Sequence, residues 1–215
     1  MAKTETTFED YDKFCYETKR DTMGSRGWGR GKHPVIWVNW NDCVDYCNWL
    51  SGKEKLSKCY LIDSATHAVK YLDTAKGYRL PTEAEWEFAA RGGNKSHGYT
   101  YAGSDNPNDV MWYKDNSGQP GALHTHAVAE KAPNELGLYD MNGNVMEWVW
   151  DFYDGSYYSK SPTDNPTGPA NAAYRTMRGG AFFNPTQYAR VFTRQNSWVA
   201  FRAESVGFRI ARSFY

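Results

Sequence analysis

The chain has 215 residues, long enough for one well-buried domain, residues 1–215, with no composition break that reads as a second. Its 25 basic and 25 acidic residues cancel to a formal charge of zero, which argues against nucleic acid or an anionic membrane surface as partner. No stretch reaches the roughly 20 apolar residues of a membrane span, and Met1–Thr7 lacks a signal peptide's apolar region, although a secreted or lipid-anchored parent with its leader trimmed would read the same way.

Aromatics form 16% of the chain, with 9 Trp and 16 Tyr, so amphipathic rings can fill a loop-rich core while their polar tips find partners. From Thr7 to Tyr16 a Thr cap and an apolar stripe at Phe8, Tyr11, Phe14 and Cys15 predict a short amphipathic helix. The glycine-rich run from Gly24 to Gly31 lacks the Gly-Lys-Ser/Thr ending of a phosphate cradle and reads as a mobile surface loop. Pro34–Val38 reads as a short strand. Asn41–Leu50 reads as a second helix that turns Val44, Cys47, Trp49 and Leu50 inward and is closed by Gly52.

The four cysteines, Cys15, Cys43, Cys47 and Cys59, are too few and too unevenly spaced for a disulfide framework. Cys43 and Cys47 share one helix face, either as a metal or redox pair or as small buried hydrophobes. Tyr78–Gly93 predicts a third helix, started by Pro81-Thr82 and stopped by glycines. Asn94–Asn134 is loop-like, and its His124-Thr-His126 places two imidazoles on one face with no third ligand close in sequence. Gly137–Asp151 follows as turn and strand, and the tail adds further short strands, which together predict an α+β fold with much irregular backbone.

The tail carries the strongest functional signal. Arg178, Gly179, Gly180, Arg190, Val191, Arg194, Arg202, Gly207, Phe208 and Arg209 form a frame. Between them stand Phe183, Asn184, Pro185, Tyr188, Thr193, Gln195, Asn196, Ser197, Trp198, Phe201, Ala203, Glu204 and Ser205, in an order that fits no helical or strand period. Such a mix of aromatic and small polar side chains has the composition of an adaptable binding surface. Trp198 and Phe201 also admit a plainer reading as core residues of a strand pair.

Four segments resemble the formylglycine-generating-enzyme (sulfatase-modifying factor) family: Pro34–Trp49, Tyr78–Gly93, Asn134–Trp148, and Arg178-Gly-Gly with Val206–Arg209. The resemblance implies a C-type-lectin-like fold. The family's usual opening, a Met-Gly strand before the first helix, is missing, as in a trimmed core. True formylglycine-generating members hold copper with two cysteines after the Gly-Gly, and the matching positions here are Asn184 and Ala189, so neither copper nor that oxidation is expected. The spacing of the tail resembles a second branch, the variable proteins of diversity-generating retroelements. That branch implies a non-enzymatic protein at the cell surface or outside the cell, a lipoprotein by origin, whose residues 178–209 form the variable segment for an unknown protein or other cell-surface ligand. It also implies that the frame arginines lie beneath the surface. The family resemblance further implies a structural calcium held by Asp140, Gly143, Val145 and Glu147, unless Asp140 and Glu147 instead cap turns or pair with the frame arginines.

Overall fold

A computed structural model describes residues 1–213. Helix α1 (Phe8–Thr18) begins where the Thr7 hydroxyl accepts from Asp10 N, and it buries the expected Phe8, Tyr11, Phe14 and Cys15 stripe. Helix α2 (Trp40–Lys53) opens on a reciprocal capping box between Asn39 and Asp42. It runs through Gly52, which therefore does not close it, and it leaves Trp49 and Leu50 only half-buried. Pro34–Val38 is not a strand. It is an extended segment pinned at one bridge to Thr7, with Val35, Ile36 and Val38 fully buried. Its burial is satisfied by packing, and a strand ladder is not needed.

A hairpin follows, β1 (Tyr60–Ile62) against β2 (Val69–Tyr71), then β3 (Tyr78–Arg79) and helix α3 (Glu83–Ala90), capped by Thr82 and Glu85. The long segment from Gly92 to Asn134 holds a 3-10 turn at Gly93–Lys95 and a one-turn helix, α4 (Pro107–Val110), among turns and isolated bridges. Four strands then make the central sheet: β4 (Met146–Phe152), β5 (Arg175–Arg178), β6 (Arg194–Ser197) and β7 (Val206–Phe208), in the order β6-β5-β4-β7. Only the β4–β7 pair is parallel, Met146 facing Val206 and Trp148 facing Phe208. A last strand, β8 (Ala211–Arg212), returns to β3.

Between the sheet and the first two helices lies a core built on aromatic rings. Its buried indoles are hydrogen-bonded, Trp40 donating to Val149 O at 2.9 Å and Trp148 to Val38 O at 3.1 Å, and in a second buried cluster Trp86 donates to a Glu147 carboxylate oxygen at 2.7 Å. The Arg175 guanidinium lies 3.8 Å from the Trp40 ring centroid and 3.5 Å from that of Phe152, and donates to Trp150 O. Cys15, Cys43, Cys47 and Cys59 are free and buried, and burial pushes the Cys43 and Cys47 thiols well up, as suits small hydrophobes.

Candidate ligand-binding surface

The frame of the tail divides in two. Arg178 is fully buried, with a Glu83 carboxylate oxygen 3.4 Å from its Nε, a hydrogen bond from Nη2 to Glu87, and another from Nη2 to Val191 O at 3.0 Å. Arg194 grips Glu83 with both Nε and Nη2, at 2.7 and 2.8 Å. The first turn of α3 therefore holds the two strands that flank the variable loop, by paired guanidinium forks that Lys could not reproduce. Arg209 is fully buried in a bidentate pair with Glu147, at 2.7 and 2.6 Å, and also donates to the carbonyls of Tyr139 and Asp140. Arg190 and Arg202, expected beneath the surface with the others, are instead exposed. Arg202 pins the loop from outside, with 2.9 Å to Asp42 and 3.2 Å to Trp37 O.

Gly180 makes the turn that launches the loop. Its φ is +74°, and a Cβ there would lie 2.9 Å from Tyr188 O, so no other residue fits. Phe183, Tyr188 and Trp198 then point outward, 42%, 47% and 55% exposed. Asn196 is exposed too, and Asn184, Pro185, Thr193, Gln195, Phe201, Ala203 and Glu204 are half-buried. Ser197 and Ser205 are corrections: both are buried, because Ser197 pairs with Arg175 inside the sheet and Ser205 O accepts from Met146 N at the start of the parallel pair. Neither is displayed. Trp198 is not a core residue, whereas Phe201 packs partly against the core and touches the Trp198 ring edge-on at 5.3 Å.

Asn184 and Ala189, at the copper-cysteine positions, are a turn-closing amide and a buried methyl: Asn184 Oδ1 accepts from Ala181 N, and Ala189 is fully buried. No thiol stands in the tail, since Cys59 is the last cysteine of the sequence.

Sequence reasoning missed three contributors. Phe192 is 51% exposed beside Arg190; alternation along Val191-Phe192-Thr193, with Val191 buried, was the available signal. The other two come from the glycine-rich run, whose chain lies against the tail. Arg26 pairs with Glu204 at 2.8 Å, and Trp28 meets Phe182 edge-on at 5.2 Å, next to Phe183. The structure also brings a third imidazole, His33, into the neighbourhood of His124 and His126. Among the described residues no His, Cys, Asp and Glu group is arranged to hold a metal.

The proposed calcium motif forms a tight, strained loop. Asp140 and Asn144 have φ of +53°, and Gly143 is obligatory, since a Cβ would meet Trp112 O at 2.1 Å. Glu147 is engaged on both oxygens by Arg209 and Trp86, the arginine pairing that the sequence left open. Asp140 accepts from Ala129 N with Oδ2, while its Oδ1 is buried with no partner, and burial pushes the carboxyl up to about 6. Glu5 joins them, accepting from Asn144 Nδ2 and Val145 N, and burial beside Asp140 and Glu147 pushes it up as well. Three buried carboxyls thus share one guanidinium, and one oxygen is left over.

The sulfatase-modifying factor enzyme 1-like domain matches residues 1–214. The chain belongs to this family. Among family relatives it is 36% identical over 199 residues to the chaperone protein LppX of Paenibacillus barcinonensis, covering 80% of this chain and 67% of that one. It is 34% identical over 194 residues to the formylglycine-generating enzyme of Streptomyces coelicolor, covering 85% of this chain and 54% of that one, so it spans about half the enzyme's length. In structure it is similar to Treponema denticola variable protein 1, with a TM-score of 0.79 and 30% identity over 97% of this chain and 82% of that chain. CarF gives a TM-score of 0.77 and 30% identity over 99% of this chain and 85% of its own. The lectin-like fold of the formylglycine-generating type and the resemblance to a retroelement variable protein both stand.

Proposed function

We propose that this member of the sulfatase-modifying factor family is a non-enzymatic binding protein that displays a diversified surface on a rigid lectin-like scaffold, at the cell surface or outside the cell, to a protein or other cell-surface ligand. The observation that carries this reading is the division of the tail. Arg178, Arg194 and Arg209 are locked into ion pairs, while Phe183, Tyr188 and Trp198 between them stand in solvent. Large rigid rings on a fixed base give contact area at little entropic cost, and neighbouring polar residues adapt to the partner. The likeness to Treponema denticola variable protein 1 supports the same reading.

Calcium enters the proposal as a structural ion only. Asp140 Oδ1, with the carbonyls of Gly143 and Val145, is the donor set for a hard cation, which would neutralise the surplus of buried carboxyls. Glu147, held by Arg209, would join through the remaining lone pair of Oε1.

Sequencing codons 178–209 across many cells of one lineage tests the function. Substitutions confined to positions such as 183, 188 and 198, with Arg178, Gly180, Arg194 and Arg209 unchanged, are expected. A uniform sequence overturns diversification and leaves a binder with one fixed partner. The formylglycine-generating relatives favour a second reading, oxidation of a sulfatase cysteine. Turnover of a Cys-containing sulfatase peptide with added copper would establish that activity, and the expected result is none.

A further inference from the structure

The glycine-rich run Gly24–Gly31 has no role in the family motifs quoted above, yet it sits between the two halves of the variable loop. Toward one half, Trp28 packs on Phe182, which packs on Phe183 at 5.4 Å. Toward the other, Arg26 pairs with Glu204, and the Arg202 guanidinium lies 3.6 Å from Met23 Sδ at the run's entrance. A displacement of this run would move both halves of the surface at once.

What supports the run from below is a cluster of imidazoles. A Cβ at Gly29 would lie 2.7 Å from His33 Nε2, so the backbone rides directly on that ring. Trp28 lies 6.5 Å from the His124 ring, His124 lies 4.5 Å from His126, and His126 stacks on Trp112 at 3.7 Å. Nδ1 of His124 donates to Thr125 O and Nε2 of His126 to Ser117 O, a tautomer choice that leaves the other nitrogen of each ring to take a proton. The charged groups around the cluster are few. Glu130 Oε2 is 3.9 Å from His126 Nδ1 and half in solvent, Lys131 lies over Trp112, and Arg26 lies over Trp28. From the core side, Asp140 reaches the segment through Ala129 N and Glu5 through Asn144. One exposed carboxylate therefore faces three imidazoles, with two cations nearby.

We propose that the glycine-rich run is a fixed wall of the ligand-binding surface and that the His33–His124–His126 cluster releases it on acidification. This rests on the binding reading above and adds its regulation. Burial lowers the affinity of His33 and His126 for a proton, with the neighbouring imidazoles adding to it, against the opposing pull of Glu130 on both, of the Ser117 carbonyl on His126 and of the Thr125 carbonyl on His33. The sign follows. A histidine whose affinity is depressed in the closed state is neutral there, and the open state takes up more protons once pH falls below about 6.5. Closure is complete above that value and weakens below it, as proton uptake draws the run open.

Hydrogen exchange of the whole chain without ligand, corrected for intrinsic rates, tests this at about pH 7.5 and about pH 5.5. Protection of residues 21–33 should fall about tenfold in acid while that of 146–152 is unchanged, and His33→Gln with His126→Gln should abolish the difference. Unchanged protection in the wild type, an equal fall in the double variant, or loss of protection in the central sheet as well would each overturn the proposal. If the double variant fails to fold, an imidazole nitrogen titration of the wild type decides: midpoints for His33 and His126 at or above about 6.5 overturn it, and lower ones support it. Because no ligand is used, failure here leaves the binding reading standing.

Discussion

At the scale of single residues, the decisive contact is Glu147 with Arg209. Both side chains are fully inaccessible, and the pair ties the end of the variable segment to the start of β4. Breaking a buried pair by removing one charge leaves the other uncompensated, which costs about 3–5 kcal/mol. Glu147→Gln should therefore lower the urea midpoint by that equivalent, and a loss under about 1 kcal/mol would show that solvent reaches the site. The partner of Glu147 was one of two readings in the sequence, because spacing alone cannot tell a cation from a guanidinium. Ser197 and Ser205 were misplaced for a related reason. Their size and polarity suit a displayed position, but Ser197 falls on an inward-facing position of β6 and Ser205 in the buried turn that leads into β7.

Elements were legible where the backbone's own unsatisfied groups dictate a side chain. Thr7 and Thr82 cap their helices where the sequence placed them, whereas α2 begins at Trp40 on an Asn39 cap that the expected start at Asn41 passed over. Short strands were harder: β1, β2 and β3 hold two or three residues each, too few for an alternation to show. Helix α3 has a further device invisible in sequence. Asp151, reached from the central sheet, accepts from Glu83 N at 2.7 Å, and burial raises its carboxyl to about 7. In the unfolded chain this group ionises near 3.9, so the fold bears a penalty that grows as pH rises from there and is complete above about 7. Asp151→Asn keeps an acceptor and removes the charge. It should stabilise the protein by more than about 1 kcal/mol at pH 8, with the gain vanishing near pH 4, as read by thermal melts across that range. A gain independent of pH would mean that the carboxyl is ionised without cost.

For the whole molecule, the buried excess of acid at Glu5, Asp140 and Glu147 is the feature most open to solution conditions. The proposed structural calcium would stabilise the fold by mass action, so a chelator should lower the melting temperature by several degrees and added calcium should restore it. Identical melts with chelator and with calcium would leave the surplus to be neutralised by protons alone. The family fold was readable from four long motifs, because each fixes a cap, a turn or an ion pair at a set spacing. The contact between the glycine-rich run and the tail was not readable, since 150 or more positions separate Arg26 from its partner and no local pattern records such a meeting.

The parallel pairing of β7 with β4 has a bearing on how the chain is made. Val206, Phe208 and Arg209 come after the last displayed position of the tail, yet they are buried in the core, and Phe208 O and Ile210 O accept from Thr6 N and Ala2 N. Helix α1 meets α2 early, through Tyr11 on Tyr46 and Phe14 on Trp49, but a ribosome must read through residues 178–205 before Phe208 can close the core over them. A nascent chain cut short within that stretch would lack β7 and the Arg209 partner of Glu147. The topology thus makes an intact core depend on translation through the whole displayed stretch.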